Sequence, residues 1–282
     1  MKSCESFVSP KSDYYVYSPS RNAHSMFFYP LYTGHFIYEN GYHLYRDSYD
    51  SFLLMYIQNG SLTLEFEGKT MHIPSNRFVL LDCYKPHSYY SDSGWESIWL
   101  HFDGPTARAF YDSVVSHLGL SFTLTDPCPS LYRLTAIYDF FHEGKVIQEA
   151  LISKYITDIL TGFLIYSPLE TGTAHDANVS EKIVSYINEH FAEDLYIEEL
   201  AALAGMSPYH FIRVFKRGTG FTPHEYIVNI RLNTAKYLLK NTSLSVKSIC
   251  FQSGFSRESI FCSAFKKKLG MTPAQYRSSD SV

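Results

Sequence analysis

The chain is poor in the residues that cross-link small folds. It has five cysteines in 282 residues, and Cys4, Cys83, Cys128, Cys250 and Cys262 are odd in number and scattered. No two of them have the close spacing of a thiolate zinc site or a redox pair, so reduced thiols that mostly fill the core are expected. Long apolar runs are missing too. The longest, Ile159 to Tyr166, is interrupted by Thr161 and Gly162 and falls short of the roughly 18 residues that a bilayer span requires. Behind Met1-Lys2-Ser3-Cys4-Glu5 there is no apolar stretch, so no secretory signal and no membrane partner are expected, and the expected compartment is the cytoplasm. No glycine-rich phosphate loop and no Ser-His-Asp or Cys-His arrangement is evident. No catalytic residue, metal or cofactor is expected.

Positive charge is scarce overall, with a net of −4, but it is unevenly placed. Residues 1–175 hold 11 Lys/Arg against 18 Asp/Glu, whereas residues 176–282 hold 13 against 10. An acidic sensor joined to a mildly basic binding module has this profile. The length and the 45% hydrophobic content permit two domains with separate cores.

The first half alternates as strands do. Phe52 to Ile57 is an apolar strand, Gln58-Asn59-Gly60 reads as a turn, and Leu62, Leu64 and Phe66 then alternate with Thr63, Glu65 and Glu67 before a turn at Gly68. Arg77 to Asp82, His87 to Ser91 and Ser97 to Phe102 repeat the pattern, which points to a small antiparallel barrel or sandwich. After Pro105 the period becomes helical over Ala107–Leu118, Leu131–His142 and Gln148–Tyr166. The last carries Ile152, Ile156, Ile159, Leu160 and Phe163 on one stripe. That stripe either packs on the barrel or pairs with its copy in a second chain, and the second option is the ground for expecting a homodimer. Ser167 to Asn178, with Pro168 and Gly172, reads as a linker.

From Val179 helices dominate and a repeat emerges. Glu198 to Ala204 is a short amphipathic helix, Gly205-Met206-Ser207 a tight turn, and Pro208 to Arg217 a second helix with Ser207 as N-cap. The same syntax returns in Val246–Ser253, Gly254-Phe255-Ser256 and Arg257–Leu269. The second helices align, Phe211-Ile212-Arg213-Val214-Phe215-Lys216 against Phe261-Cys262-Ser263-Ala264-Phe265-Lys266. Each is followed by a glycine, Thr-Pro and an aromatic: Gly220, Thr222, Pro223, Tyr226 and Gly270, Thr272, Pro273, Tyr276. A repeat of roughly 50 residues with matching turns and caps is hard to obtain by chance. It describes two helix-turn-helix units, in each of which the first helix braces a second that enters the major groove. Pro223 to Lys240 forms a connecting helix roughly 27 Å long, suited to setting two reading helices into successive major grooves roughly 34 Å apart.

At the second unit Ser248-Ile249, Gly254-Phe255-Ser256, Ser259, Phe261, Phe265-Lys266, Gly270, Thr272-Pro273 and Tyr276-Arg277 resemble the hallmark of the AraC family of transcription regulators. Arg231, Ala235 and Leu238-Leu239 fit that family's connecting helix. The resemblance implies that Tyr209, Ile212 and Arg213 of the first unit, and Glu258, Ser259, Ile260 and Ser263 of the second, face base edges. His210, with Ser207 and Arg257 at the helix starts, joins the set. Arg213 can offer a bidentate fork to guanine and Glu258 can accept from a cytosine amino group, while Lys216, Lys266 and Lys267 are placed for phosphates. The family's usual arginine in the second unit is Ser263 here, so specificity is expected to rest on Tyr209, His210 and Arg213. The implied partners are double-stranded DNA half-sites and RNA polymerase, with activation the family norm.

Residues 24–103 resemble the cupin-like ligand-binding domain of many such regulators. The resemblance rests on Gly34-His35, Gly41-Tyr42, Tyr45-Arg46, the strand Phe52 to Ile57, Pro86-His87-Ser88-Tyr89, and Trp95 followed by Trp99-Leu100-His101-Phe102. The usual Pro-Gly turn is replaced by Pro74-Ser75-Asn76. Alternation puts Ser97, Trp99 and His101 on one face and Ile98, Leu100 and Phe102 on the other. By family position Arg46, His87, Tyr89, Ser97 and Trp99 line the pocket, with His101 structural. An indole to cover a sugar's apolar face and Arg, His and Tyr to bond hydroxyls suit a sugar or glycoside effector. The alternative is a cupin-type enzyme or isomerase with an accessory helical interaction domain. Metal-dependent cupins need several converging ligands, whereas His72, His87 and His101 stand alone on separate strands. The expected fold is α+β: a cupin-like antiparallel β-barrel with C-terminal helices of its own over 1–166, a linker over 167–178, and an all-α domain of two helix-turn-helix units joined by a long helix over 179–282.

Overall fold

Side-chain alternation organises the N-terminal half of the computed structural model, which describes residues 2, 5–167 and 173–279, the side chains of 173–179 and 181 excepted. The chain forms two compact units, Met1–Pro168 and Leu169–Val282. The first contains β1 (Asp13–Val16), α1 (Arg21–Met26), β2 (Tyr29–Tyr38), β3 (Tyr42–Arg46), β4 (Phe52–Phe66), β5 (Lys69–Pro74), β6 (Arg77–Asp82), β7 (His87–Ser91), β8 (Trp95–Asp103), α2 (Ala107–Leu118), β9 (Ser121–Phe122), α3 (Cys128–His142) and α4 (Glu149–Ile165). All pairings are antiparallel, in the order β1-β2-β8-β4-β6-β9 in one sheet and β3-β7-β4-β5 in the other.

β4 belongs to both sheets. Phe52 to Ile57 pairs with β6 and β8, and Ser61 to Phe66 pairs with β5. The turn expected at Gln58-Asn59-Gly60 is instead a bulge, where the register against β8 shifts between Ile57 and Asn59. Gly60 there has φ 74, and a Cβ on it would come within 2.3 Å of the Gly94 carbonyl oxygen. The glycine marks the corner at which one strand passes between sheets, a use of turn-like sequence that local pattern does not separate from a hairpin. At the replaced Pro-Gly turn, Asn76 takes φ 62, the left-handed conformation that asparagine tolerates better than most residues. No β5–β6 hairpin forms: the chain passes here from β5, paired with Ser61 to Phe66 of β4, to β6, paired with Phe52 to Ile57 of the same strand.

The two faces of the barrel build two cores. Leu53, Met55, Ile57, Val79, Leu81, Trp95 and Trp99 point inward. Phe52, Leu54, Phe78, Leu80, Ile98, Leu100 and Phe102 point outward and meet Ile152, Ile156, Ile159, Leu160 and Phe163 of α4. The stripe of α4 therefore packs on the barrel of its own chain, all five side chains being buried, and truncating any of these isoleucines to alanine would cost about 2–5 kcal/mol. Because the stripe is occupied within the chain, it no longer supports the homodimer expected from the sequence.

The second unit contains α5 (Thr173–His190), α6 (Ile197–Leu203), α7 (Pro208–Thr219), α8 (Pro223–Asn241), α9 (Val246–Gln252), α10 (Glu258–Leu269) and α11 (Pro273–Ser278). α5 begins inside the segment read as a linker, because the breakers Pro168 and Gly172 are followed by a run free of glycine and proline; both fall in 168–172, outside the described residues. α8 serves two cores. It gives Ile227 to one with Ile183, Ile187, Leu200, Phe211 and Phe215, and Leu232, Ala235 and Leu239 to the other with Ile249, Phe261 and Phe265. The repeat is exact enough to measure: the Phe211–Phe215 and Phe261–Phe265 ring centroids are both 5.6 Å apart, and Phe215–Tyr226 and Phe265–Tyr276 are 5.6 and 5.5 Å apart. Thr222 with Glu225 and Thr272 with Gln275 form matching capping boxes that satisfy otherwise unpaired N–H groups at the starts of α8 and α11. Among the described residues no helix is long and apolar enough to cross a membrane.

Candidate DNA interface and effector cavity

α7 and α10 are each anchored by one buried face. Phe211, Val214 and Phe215 lie inward on α7, and Phe261 and Phe265 on α10. Helical periodicity then puts the intervening residues outside. On α7, Ser207, Tyr209, Arg213 and Lys216 are exposed and His210 and Ile212 half-buried; Tyr209 is 81% exposed. On α10, Arg257, Glu258, Ser259, Ile260, Ser263, Lys266 and Lys267 are exposed. Arg213 Nη2 lies 3.3 Å from His210 Nδ1, so these two side chains occupy one patch. Ser207 holds the N-cap position of α7 without a side-chain cap bond, leaving its hydroxyl available there.

Within the helical unit the two helix-turn-helix elements are tied together by Arg231 of α8, a residue expected only as part of the connecting helix. Its Nε and Nη2 donate to the carbonyls of Phe191 and Glu193, each at 2.7 Å, and its guanidinium lies 6.0 Å from the Phe255 ring. Gly254 completes the joint. It has φ 84, and an added Cβ would lie 2.7 Å from the Phe191 oxygen and 2.9 Å from Arg231 Nε.

Inside the barrel, Arg46, Tyr89 and Trp99 line one cavity of about 40 Å³ together with Glu5, Phe36, Tyr38, Tyr42, Leu53, Met55 and His101. Two of the five expected residues lie elsewhere. Ser97 is on the inward face but deeper, between Phe36 and Ile57 in the sheet register. His87 opens instead on an outer groove beside Glu67, Lys69 and Lys85, although its ring stacks near Tyr89 at 6.4 Å. Conversely His101, expected to be structural only, forms part of the cavity wall. Its Nδ1 is paired with Ser51 Oγ at 2.8 Å. Burial, reinforced by Arg46 and His87, pushes its pKa down to about 3, so the imidazole is neutral around pH 7. Burial likewise lowers the His87 pKa.

The cavity's polar groups are varied. Burial holds the Tyr38, Tyr42 and Tyr89 hydroxyls protonated, their pKa values being raised, so each can donate or accept. Tyr42 donates to Glu5 at 3.0 Å, and Arg46 lies 4.5 Å over the Tyr49 ring. In the cavity wall Trp99 Nε1 is buried without a hydrogen-bond partner in the protein, as are Trp95 Nε1, Ser97 Oγ and His87 Nε2 outside it, a cost that native structures rarely carry without a reason. Glu5 and Tyr38 lie outside the residues that carry the resemblance, and Tyr42, although part of its Gly41-Tyr42 signature, is not among the expected pocket residues. The β2–β8 and β3–β7 registers bring Tyr38 and Tyr42 there, and Glu5 comes from the irregular segment before β1, where it accepts from Tyr42. Among the described residues no group of three or more His, Cys, Asp or Glu side chains is arranged to hold a metal ion.

These two sites coincide with two family matches. Residues 200–279 match the family described as a helix-turn-helix domain, and residues 32–141 match the AraC-like ligand binding domain. The chain belongs to the AraC family of transcription regulators. It is a regulator with a DNA-binding helix-turn-helix region and an N-terminal ligand-binding domain. It is 25% identical to the MmsAB operon regulatory protein of Pseudomonas aeruginosa over 262 residues, covering 88% of this chain and 82% of that one. It is 22% identical to the Msm operon regulatory protein of Streptococcus mutans, covering 85% of this chain and 88% of that one. A shorter match, 32% identical over 38% of each chain, is to the transcriptional activator RhaS of Klebsiella pneumoniae.

Proposed function

We propose that this AraC-family regulator reads promoter half-sites in double-stranded DNA through Tyr209, His210 and Arg213, and binds a sugar or glycoside in the barrel cavity. The carrying observation is the wall in which Trp99 Nε1, buried and unpartnered, stands with Arg46, Tyr38, Tyr42 and Tyr89. An indole face with several neutral hydroxyls and one guanidinium matches a polyol's alternation of C–H faces and O–H edges. The cavity has room for only a few water molecules, so a monosaccharide enters by displacing the side chains at its rim. Binding favours whichever arrangement accommodates it, and DNA affinity changes by that coupling free energy. Ser259, Ile260 and Ser263 contribute less base discrimination than α7, and Lys216, Lys266 and Lys267 hold phosphates. The chain works in the cytoplasm and activates transcription with RNA polymerase as partner, a reading supported by the activator among its relatives.

Thermal-shift measurements on the full chain with a panel of sugars test the effector reading. At a hundredfold excess over Kd, a bound sugar stabilises by about 2.7 kcal/mol. The wild type should respond to one sugar class and Arg46→Ala should not. If no sugar raises the Tm, or if Arg46→Ala responds unchanged, the assignment of this cavity is wrong.

A further inference from the structure

Between α8 and α10 runs a second cavity, of about 530 Å³, within the range of small-molecule sites. Its floor is apolar: Leu232 and Phe255 are buried and Val228 half-buried. Two large apolar side chains stand open at its walls, Phe221 at 43% and Ile260 at 51% exposure. The rim carries Lys267, Lys268 and His224, all exposed. The two other charged groups present are already committed. Glu225 closes the capping box by accepting from Thr222 N at 2.8 Å, and Arg231 donates to the Phe191 and Glu193 carbonyls. The unengaged rim charge is therefore positive while the body of the groove is mostly hydrocarbon and aromatic, with Asn229 and Ser256 its neutral polar groups. A phosphate of the DNA backbone would meet the lysines but leave the exposed Phe221 and Ile260 faces against a charged group, which burial of apolar surface disfavours.

We propose that this groove binds a small amphipathic carboxylate, its tail on Val228, Leu232 and Phe255 and its carboxylate at Lys267 and Lys268, and that binding opposes DNA binding. The opposition rests on the reading of α10 given above, because the ligand would lie against Ile260 and engage Lys267, both assigned to the duplex. Ligand binding itself does not rest on that reading.

Decanoate, with decanol as its uncharged counterpart, tests the proposal by titration calorimetry on the full-length chain without DNA. Saturable decanoate binding is expected, at least tenfold tighter than decanol, and reduced at least tenfold in both Phe221→Ala and Lys268→Gln. Neither residue has been placed at the DNA, so both variants should retain operator affinity, which also certifies their folding. With wild type, saturating decanoate should weaken operator binding about tenfold or more. Absence of saturable binding, equal affinity for decanol, or binding unchanged in both variants would overturn the site. Decanoate that binds as described yet leaves operator affinity unchanged would overturn the antagonism and with it the placement of α10, while the barrel assignment would stand untouched.

Discussion

The two helix-turn-helix units share a frame and differ in face. Their buried rings are spaced alike, 5.6 Å within each reading helix, their C-caps Gly220 and Gly270 are both left-handed, and both are followed by Thr-Pro capping boxes. Outward, α7 presents Tyr209, His210 and Arg213 where α10 presents Ser259, Ile260 and Ser263. The interior of a repeat is held by packing, which tolerates little change. Its exterior answers only to the partner, so the two faces were free to diverge.

The largest expected effect breaks the likeness of the frames. Gly254→Ala should destabilise the helical unit by about 2–4 kcal/mol, combining left-handed backbone strain with overlap on the Phe191 carbonyl. Gly205→Ala, with φ 68 but nothing within 4 Å of its Cβ, should cost only about 1–2 kcal/mol. Urea unfolding followed at the helical signal compares them, and equal losses would show that Gly254 does not clamp the two helix-turn-helix elements together. Next in size is the difference in faces. Arg213→Ala should lose about 1–3 kcal/mol of discrimination at one base pair, whereas Ser263→Ala should change preference at every position by less than about twofold. Anisotropy titrations over single-substitution operators read both.

The lysines should behave alike in the two units. Lys216→Ala and Lys266→Ala should each weaken binding to all sequences uniformly and reduce the salt slope by about 0.9; a sequence-selective loss would reassign either residue. The smallest effect separates the capping boxes. Glu225 has its pKa lowered, chiefly by the Thr222 backbone N–H, so its contribution is present above the unfolded carboxyl's pKa and fades as pH falls through the lowered value. Gln275 does not titrate. Glu225→Gln should therefore flatten the acid limb of stability, and Gln275→Glu should introduce one; no change in either limb would dismiss the box as a pH-dependent element.

Much of the helical unit could be read from the chain because each element announces itself locally. Pro208, Pro223 and Pro273 open helices, glycines close them, and phenylalanines recur at helical spacing. The barrel was legible face by face, since alternation in β4, β6 and β8 sorts inward from outward residues without knowledge of partners. What local pattern does not carry is long-range register. Gly60 looks the same in a hairpin and at a sheet corner, and the cavity wall draws Tyr38 and Tyr42 from strands whose neighbours only pairing defines and Glu5 from an irregular segment ahead of them. The same blindness placed His87 in the cavity and left His101 out of it, although the two alternate identically along their strands. The stripe of α4 was visible as a stripe, but its partner was not, because apolar periodicity specifies burial and not what covers it.

The proposed function requires α7 and α10 both to face one duplex, with α7 carrying most of the base recognition. Methylation interference on an operator bound by wild type and by Arg213→Ala measures this directly. Two patches of major-groove contact should appear one helical turn apart on the same side of the DNA, and the variant should lose guanine dependence only in the patch under α7. A single patch, or an interference pattern that the variant leaves unaltered, would contradict it.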